Sequence, residues 1–252
     1  MRGSSAGAGR SWRDPSPSGS AGRYRPGAKG KPAACYSYLL VDKVPRGTSD
    51  AGAPDRHDGS GPTGTRVRIL DVAERLVQSR GFNGFSYADV ASELGVTNAS
   101  LHYHFPGKSE LGEALIERYA RRFLHALERI DAECSDANQK LARYVALYAD
   151  VLKDQRMCLC GMLAADYATL PPGMRTGVIT FFDQNQAWLE RVLEQGREAG
   201  SLQYDSSAAT QAQLIIGTLE GAMLVARPYG DPDRFALTAS RLLATLANPL
   251  AP

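Results

Sequence analysis

From residue 65 onward apolar residues recur every three or four positions. Gly and Pro fall almost only between those periodic stretches, so a nearly all-helical body is expected. Val67, Leu70, Ala73, Leu76 and Val77 form one stripe, which predicts a first helix over residues 66–80, ended at Gly81, where a left-handed residue costs least. Ser86 with Asp89 three positions later reads as an N-cap and an acidic first turn. They open a second helix over residues 87–94 that buries Val90, Ala91 and Leu94. Gly95 forces a turn, Val96 plugs the core, and Thr97 caps a short third helix whose Leu101 and Phe105 face inward, with Pro106 and Gly107 ending it.

After Lys108 a longer helix carries Leu111, Leu115, Tyr119, Phe123 and Leu127 on one side. Leu141, Tyr144, Val145, Tyr148, Val151 and Leu152 mark the next, followed by a cysteine-containing loop and a shorter helix stopped by Pro171 and Pro172. Val178, Phe181, Phe182, Trp188, Leu189 and Val192 line another, which ends near Gly200. Ala208, Ala212, Ile215, Ile216, Leu219, Ala222 and Met223 line the one after it, and a last helix spans residues 235–246. The first 63 residues have a different texture, rich in Gly, Ser, Pro, Ala and Arg, and read as a disordered, low-complexity tail unable to offset its ordering entropy. The run from Cys35 to Val44 is its one apolar interruption.

Composition narrows the function classes. No window reaches the ~18 to 20 apolar residues of a membrane span and no compact apolar leader opens the chain, so a cytoplasmic protein is expected, with no membrane partner. Four cysteines, Cys35, Cys134, Cys158 and Cys160, are too few and too scattered for a disulfide framework. A formal net charge of +2 argues against coating DNA by charge alone, yet suits a specific reader that uses a few well-placed donors.

The short helix after Gly95 keeps polar residues outward, and with the preceding helix it has the layout of a helix-turn-helix over roughly residues 86–105. Thr97, Asn98, Ser100, His102, Tyr103 and His104 are the candidates for its outer face; amide, hydroxyl and imidazole groups bond to base edges, and Asn suits adenine. Lys108, at the start of the following helix, is placed to meet a phosphate.

Residues 66–111, with Gly81-Phe82, Ser86, Val90-Ala91, Leu94-Gly95-Val96, Ser100-Leu101-His102-Tyr103-His104-Phe105, Lys108 and Leu111, resemble the N-terminal domain of the TetR/AcrR regulators. That resemblance implies an all-α protein. A three-helix DNA-binding head over residues 64–123 would be followed by a helical effector-binding and dimerisation body over residues 124–248. By position it puts Thr97, Asn98 and Ser100 where the recognition helix opens, Ser86 and Tyr87 where members touch the DNA backbone, and Lys108 on the family's phosphate-contacting lysine. His102 stands where many members have Tyr, so Tyr103 is the expected substitute for that contact. The implied partners are a palindromic double-stranded operator, a small-molecule effector of unknown identity and a second copy of the chain, with repression the family's commoner mode.

In the body, Tyr144, Tyr148, Met162, Tyr167, Phe182, Trp188 and Met223 are candidates to line an apolar effector pocket. A two-fold interface is expected from the helices over residues 178–199 and 207–226, through Phe181, Phe182, Trp188 and Leu189 on the first and Gly217, Gly221 and Ala222 on the second. Cys158-Leu159-Cys160 lacks the second ligand pair of a structural zinc site, so neither metal nor cofactor is expected and the pair reads as packing. No acid-base constellation supports catalysis. Two alternatives stay open at this level: a helical adaptor without a DNA role, and a redox sensor or enzyme using Cys158 or Cys160.

Overall fold

The computed structural model describes residues 62–247. The expected tail and the Cys35 to Val44 run lie outside them, save that Pro62 and Thr63 already belong to the first helix. The described residues fold into helices joined by short turns: α1 (Pro62–Arg80), α2 (Tyr87–Leu94), α3 (Asn98–His104), α4 (Lys108–Glu133), α5 (Ala137–Lys153), α6 (Leu159–Ala165), α7 (Pro172–Glu198), α8 (Ala208–Ala226) and α9 (Pro232–Ala244). Single 3-10 turns follow α6 and α8.

Local chemistry explains most of the boundaries. Ser86 and Asp89 form a reciprocal capping box at α2, and Thr97, Asp136 and Ser207 accept from backbone N–H groups at the starts of α3, α5 and α8. Gly81 and Gly95 both adopt positive φ, so the turns bounding the α1–α2 and α2–α3 connections need residues without a Cβ penalty. Pro172 does not merely stop the preceding segment; it occupies the first turn of α7, where a missing N–H is no loss.

One contiguous core runs from Ile69 and Leu70 in α1 to Leu242 in α9. Val67, expected on the inner stripe of α1, is instead 48% exposed, and Ile69 and Val72 take the buried places. The apolar face of α1 thus keeps Leu70, Ala73, Leu76 and Val77 as expected and widens to take in Ile69 and Val72. The long helix α4 runs unbroken through the expected head–body boundary at residue 123 and packs on α1, α5, α6 and α7. A buried carboxylate fixes the α1–α4 contact: Glu74 accepts from Arg118 Nη2 at 2.8 Å and from Arg122, while Arg118 Nη1 also donates to Asp71 at 2.7 Å.

Candidate DNA interface and interior site

The helix-turn-helix presents a small polar face. Leu101 and Phe105 anchor α3 inward, leaving Thr97, Asn98, His102 and Tyr103 exposed and Ser100 and His104 half-buried. Tyr103 is 79% exposed, with its ring edge against His104 at 5.1 Å, so it packs on nothing that would hold it back from a ligand. His102 Nδ1 lies 3.0 Å from the carbonyl oxygen of Pro106. A carbonyl only accepts, so Nδ1 carries the hydrogen in that bond and Nε2 is the ring nitrogen left for another partner. The Thr97 hydroxyl is committed to the helix cap at Ser100 N. Ser86 and Asp89 are likewise engaged with each other, which holds the Asp89 carboxyl below its ordinary range.

Two expected DNA contacts have inward tasks. Tyr87 Oη lies 2.9 Å from the Phe105 carbonyl and 2.6 Å from that of Gly107, so its hydrogen pins the end of α3; burial, then Glu110, pushes its pKa up to about 12. Lys108 points its ammonium back over the rings of Phe82 and Phe85 and donates to both their carbonyls, at 2.6 Å for Phe82. Burial lowers its pKa, with Asp89 and Asp166 acting against the shift. These acceptors close the α1–α2 loop and occupy two of the three N–H groups of the ammonium. Two exposed cations near the helix-turn-helix are Arg66, whose guanidinium lies 4.6 Å over the Phe105 ring, and Arg68, which donates to the Leu94 carbonyl at the end of α2 at 3.5 Å; neither was singled out by the sequence pattern.

The C-terminal end of α1 is tied to the body at several points. Asp166 accepts from Phe82 N at 2.8 Å, Met157 N donates to the Gln78 carbonyl at 3.1 Å, Asn83 donates to Thr169 at 2.8 Å, and Arg227 donates to the Ser79 carbonyl. Met157 and Asp166 flank α6 on either side. These bonds join both ends of α6 to the base of the head.

Behind α6 lies an aromatic and polar interior. The Tyr144 and Tyr148 hydroxyls are 3.1 Å apart, Tyr144 donates to Asn185 Oδ1 at 3.4 Å, and the Tyr144 ring stacks on Trp188 at 5.5 Å. Phe123 bridges Tyr144, Tyr148 and Phe181 edge to face. Of the expected pocket residues, Tyr144, Tyr148 and Trp188 sit in this cluster, Phe182 touches its edge through Phe181, and Met223 is buried on the inner side of α8. Met162 and Tyr167 do not join it. Met162 Sδ faces Arg227 at the seam with the head, and Tyr167 is exposed under Arg175.

Glu220 is the group that sequence reasoning missed. It is the single charged residue in the 19 residues of α8, and that isolation within an apolar helix was the available signal. Its Oε1 is buried with no hydrogen-bonding partner among the described residues. Burial pushes its carboxyl up from 4.5 to about 7, against a smaller opposing effect of a hydrogen bond with Cys158. The unfolded chain gives up this proton first. Stability of the protein is therefore expected to fall as pH rises from 4.5 to about 7 and to level off above. Urea midpoints across that range should show the decline in the parent and a shallower one in Glu220→Gln; an unchanged slope would assign the effect to another group.

Cys158 and Cys160 are buried, free and held protonated by burial and by Glu220. A reactive thiolate needs the opposite environment, an electropositive one. In a Cys35→Ser, Cys134→Ser background, alkylation at neutral pH is expected to be at least about tenfold slower than for a free thiol until the protein is unfolded. Labelling at the free-thiol rate would restore the redox reading.

Phe181, Trp188 and Leu189 are not available to a partner chain, in contrast to the sequence expectation. All three are buried within the protomer, because α7 lies against α4, α5, α6 and α8, and Trp188 Nε1 donates to Asp131 at 2.9 Å. Gly217 and Gly221 do face outward, on the same side of α8 as Leu214, Leu224 and Val225, which are 54%, 61% and 61% exposed. Among the described residues no helix is long and apolar enough to cross a membrane.

Comparison with known proteins agrees with this geometry. Residues 69–115 match the family model of bacterial regulatory proteins of the tetR family, and residues 137–242 match that of the tetracyclin repressor-like C-terminal domain. A TetR-family transcriptional regulator from Agrobacterium tumefaciens superposes with a TM-score of 0.72 at 31% identity, over 75% of this chain and 100% of that one. One from Legionella pneumophila gives 0.66 at 34%, over 72% and 97%. The transcriptional repressor DhaR of Mycobacterium sp. (strain GP1) is 24% identical over 64% of this chain and 82% of its own. An exposed recognition helix on an all-helical body, matched in head and body to these regulators, places the chain in the TetR family of DNA-binding transcriptional regulators, which are not enzymes.

Proposed function

We propose that a two-fold dimer reads a palindromic operator in the cytoplasm through the exposed face of α3, and that a small molecule entering the interior behind α6 releases it. The observation that carries the reading is the outward set Asn98, His102 and Tyr103 on a helix fixed from behind by Leu101, Phe105 and the Tyr87 hydroxyl. Asn98 and Ser100 are assigned to base edges or adjacent phosphates, His102 and Tyr103 to the backbone, and Thr97 to positioning α3 through its cap. Ser86 and Tyr87 hold the entry to α2 and the exit of α3 against the phosphates. The charge expected of Lys108 passes to Arg66 and Arg68, exposed at the start of α1.

For the dimer, the outer faces of α8 and α9 replace α7. Leu214, Gly217, Gly221, Leu224 and Val225 lie on one stripe of α8, and Leu237 is 58% exposed on α9, which packs beside it. Two heads related by such an axis would meet half-sites about one helical turn, ~34 Å, or more apart. Effector control follows from the ties between α6 and the base of α1, since a ligand that favours one position of α6 also favours one placement of the head.

The test is a footprint followed by gel shifts on the protected sequence at several salt concentrations. Asn98→Ala is expected to cost about 1 to 3 kcal/mol and to relax preference at one base pair of each half-site. Arg66→Ala should weaken all sequences alike and flatten the salt slope. Parental binding by both variants, or a footprint without an inverted repeat, would reject the assignment.

A further inference from the structure

We propose that the effector site takes an arylalkyl ammonium ion, its N–H donated to Glu220 and its charge set against the rings of Tyr119, Tyr144 and Tyr148. The inference rests on the effector reading above and names the ligand class for that site. An acidic residue alone in an apolar helix, with a buried oxygen that has no donor among the described residues, is a costly feature that packing does not require. No lysine, arginine or histidine forms an ion pair with it among the described residues.

The groups around it also select a ligand. Tyr119 reaches in from α4, Tyr144 and Tyr148 from α5, and Cys158 and Cys160 from the start of α6, each lying close enough to the carboxylate to interact electrostatically with it. None brings a positive charge, so an anionic effector would meet a lone carboxylate and no counter-charge. Aromatic faces attract a cation most strongly where water is excluded. The unpartnered Oε1 calls for an N–H donor, which favours a primary or secondary ammonium over a quaternary one. The backbone keeps room for the carboxylate, because a Cβ at Gly161 would collide with Oε2.

Binding and signalling share one movement. The rings pack on one another, so a guest is admitted by displacing α6, whose flanking residues Met157 and Asp166 bond to Gln78 and Phe82 at the base of the head. Uptake also ionises the carboxyl: the Glu220 proton leaves for solvent and the ammonium proton remains on the ligand, as the raised carboxyl range allows.

Calorimetry on the full-length protein with 2-phenylethylammonium and with 2-phenylethanol separates charge from hydrogen bonding, since both donate a hydrogen and only one is a cation. Saturable binding of the cation is expected, at least about tenfold tighter than the alcohol. Its affinity should rise with pH by up to about tenfold per unit below about 7 and level off above. Glu220→Gln should lose both the charge preference and the pH dependence. Equal affinities for the two probes, no saturable cation binding, or a folded Glu220→Gln protein that still prefers the cation would each overturn the proposal. The comparison of probes on the parent keeps the test decisive should that variant fail to fold. Operator binding is followed in parallel: cation binding without operator release would uphold the site and overturn the effector role on which it was placed.

Discussion

Replacing Gly221 by arginine is expected to leave each protomer folded, to convert the protein to a monomer in sedimentation at micromolar concentration, and to remove most of its operator affinity. The protomer tolerates the change because a Cβ at Gly221 meets nothing within 4 Å, and an exposed helical glycine is itself about 1 kcal/mol worse than a good helix former. Gly217 shares that open space one turn earlier. On either side of the pair, Leu214, Leu224 and Val225 supply exposed apolar surface, so two copies of α8 approach closely only where side chains are absent. A guanidinium in that contact is desolvated without a partner. The effect on DNA exceeds the effect on assembly, because joined heads bind the second half-site as an intramolecular event, a gain of about 10²- to 10⁴-fold over one head. Circular dichroism should match the parent. A Gly221→Arg protein that sediments as a dimer and protects both half-sites would remove α8 from the interface.

The features legible in the sequence were those set by neighbours in the chain. Ser86, Thr97, Gly81 and Gly95 act on backbone groups within a few residues of themselves, so the bounds of α2 and the turn into α3 follow from local chemistry alone. The outward positions of α3 follow in turn, because Leu101 and Phe105 fix which side is inside. Other assignments depended on groups far along the chain. The ammonium of Lys108 is taken by carbonyls of Phe82 and Phe85, whose proximity no spacing rule reveals. On α7 periodicity identified an apolar stripe without saying whether the protomer's own core or a partner covers it, and the core won. On α8 the deciding signal was apolarity on both sides, with Ile215, Leu219 and Met223 inward and Leu214, Leu224 and Val225 outward. Glu220 stood out in that helix by charge, but only its surroundings make it a binding group.

Glu74→Ala is expected to destabilise the protein by about 3 to 5 kcal/mol, a large part of the roughly 5 to 15 kcal/mol that holds a domain of ordinary stability together. Glu74 is buried on α1 and receives both Arg118 and Arg122 from α4, so its removal strands charge at the seam between the head and the long helix beneath it. Arg118 is the costly partner: its side chain is 17% exposed, and afterwards it keeps only the exposed Asp71. Arg122 is 52% exposed and reaches water, so Arg122→Ala should cost no more than about 1 kcal/mol. The contrast between the two variants separates an uncompensated buried charge from the deletion of a surface ion pair. Replacing Glu74 and Arg118 together by leucine should recover most of the loss, since two well-packed apolar residues remove the desolvation penalty on both sides. Head orientation tests the same seam from the functional side. In the double leucine protein, recovered stability with persistently weak operator binding would show that the ion pairs set the angle of the head, whereas full recovery of both would make them only a source of cohesion. Urea midpoints give the first measurement and gel shifts the second; a Glu74→Ala protein within about 1 kcal/mol of the parent would mean that the apolar contacts of α1 hold the seam without the network.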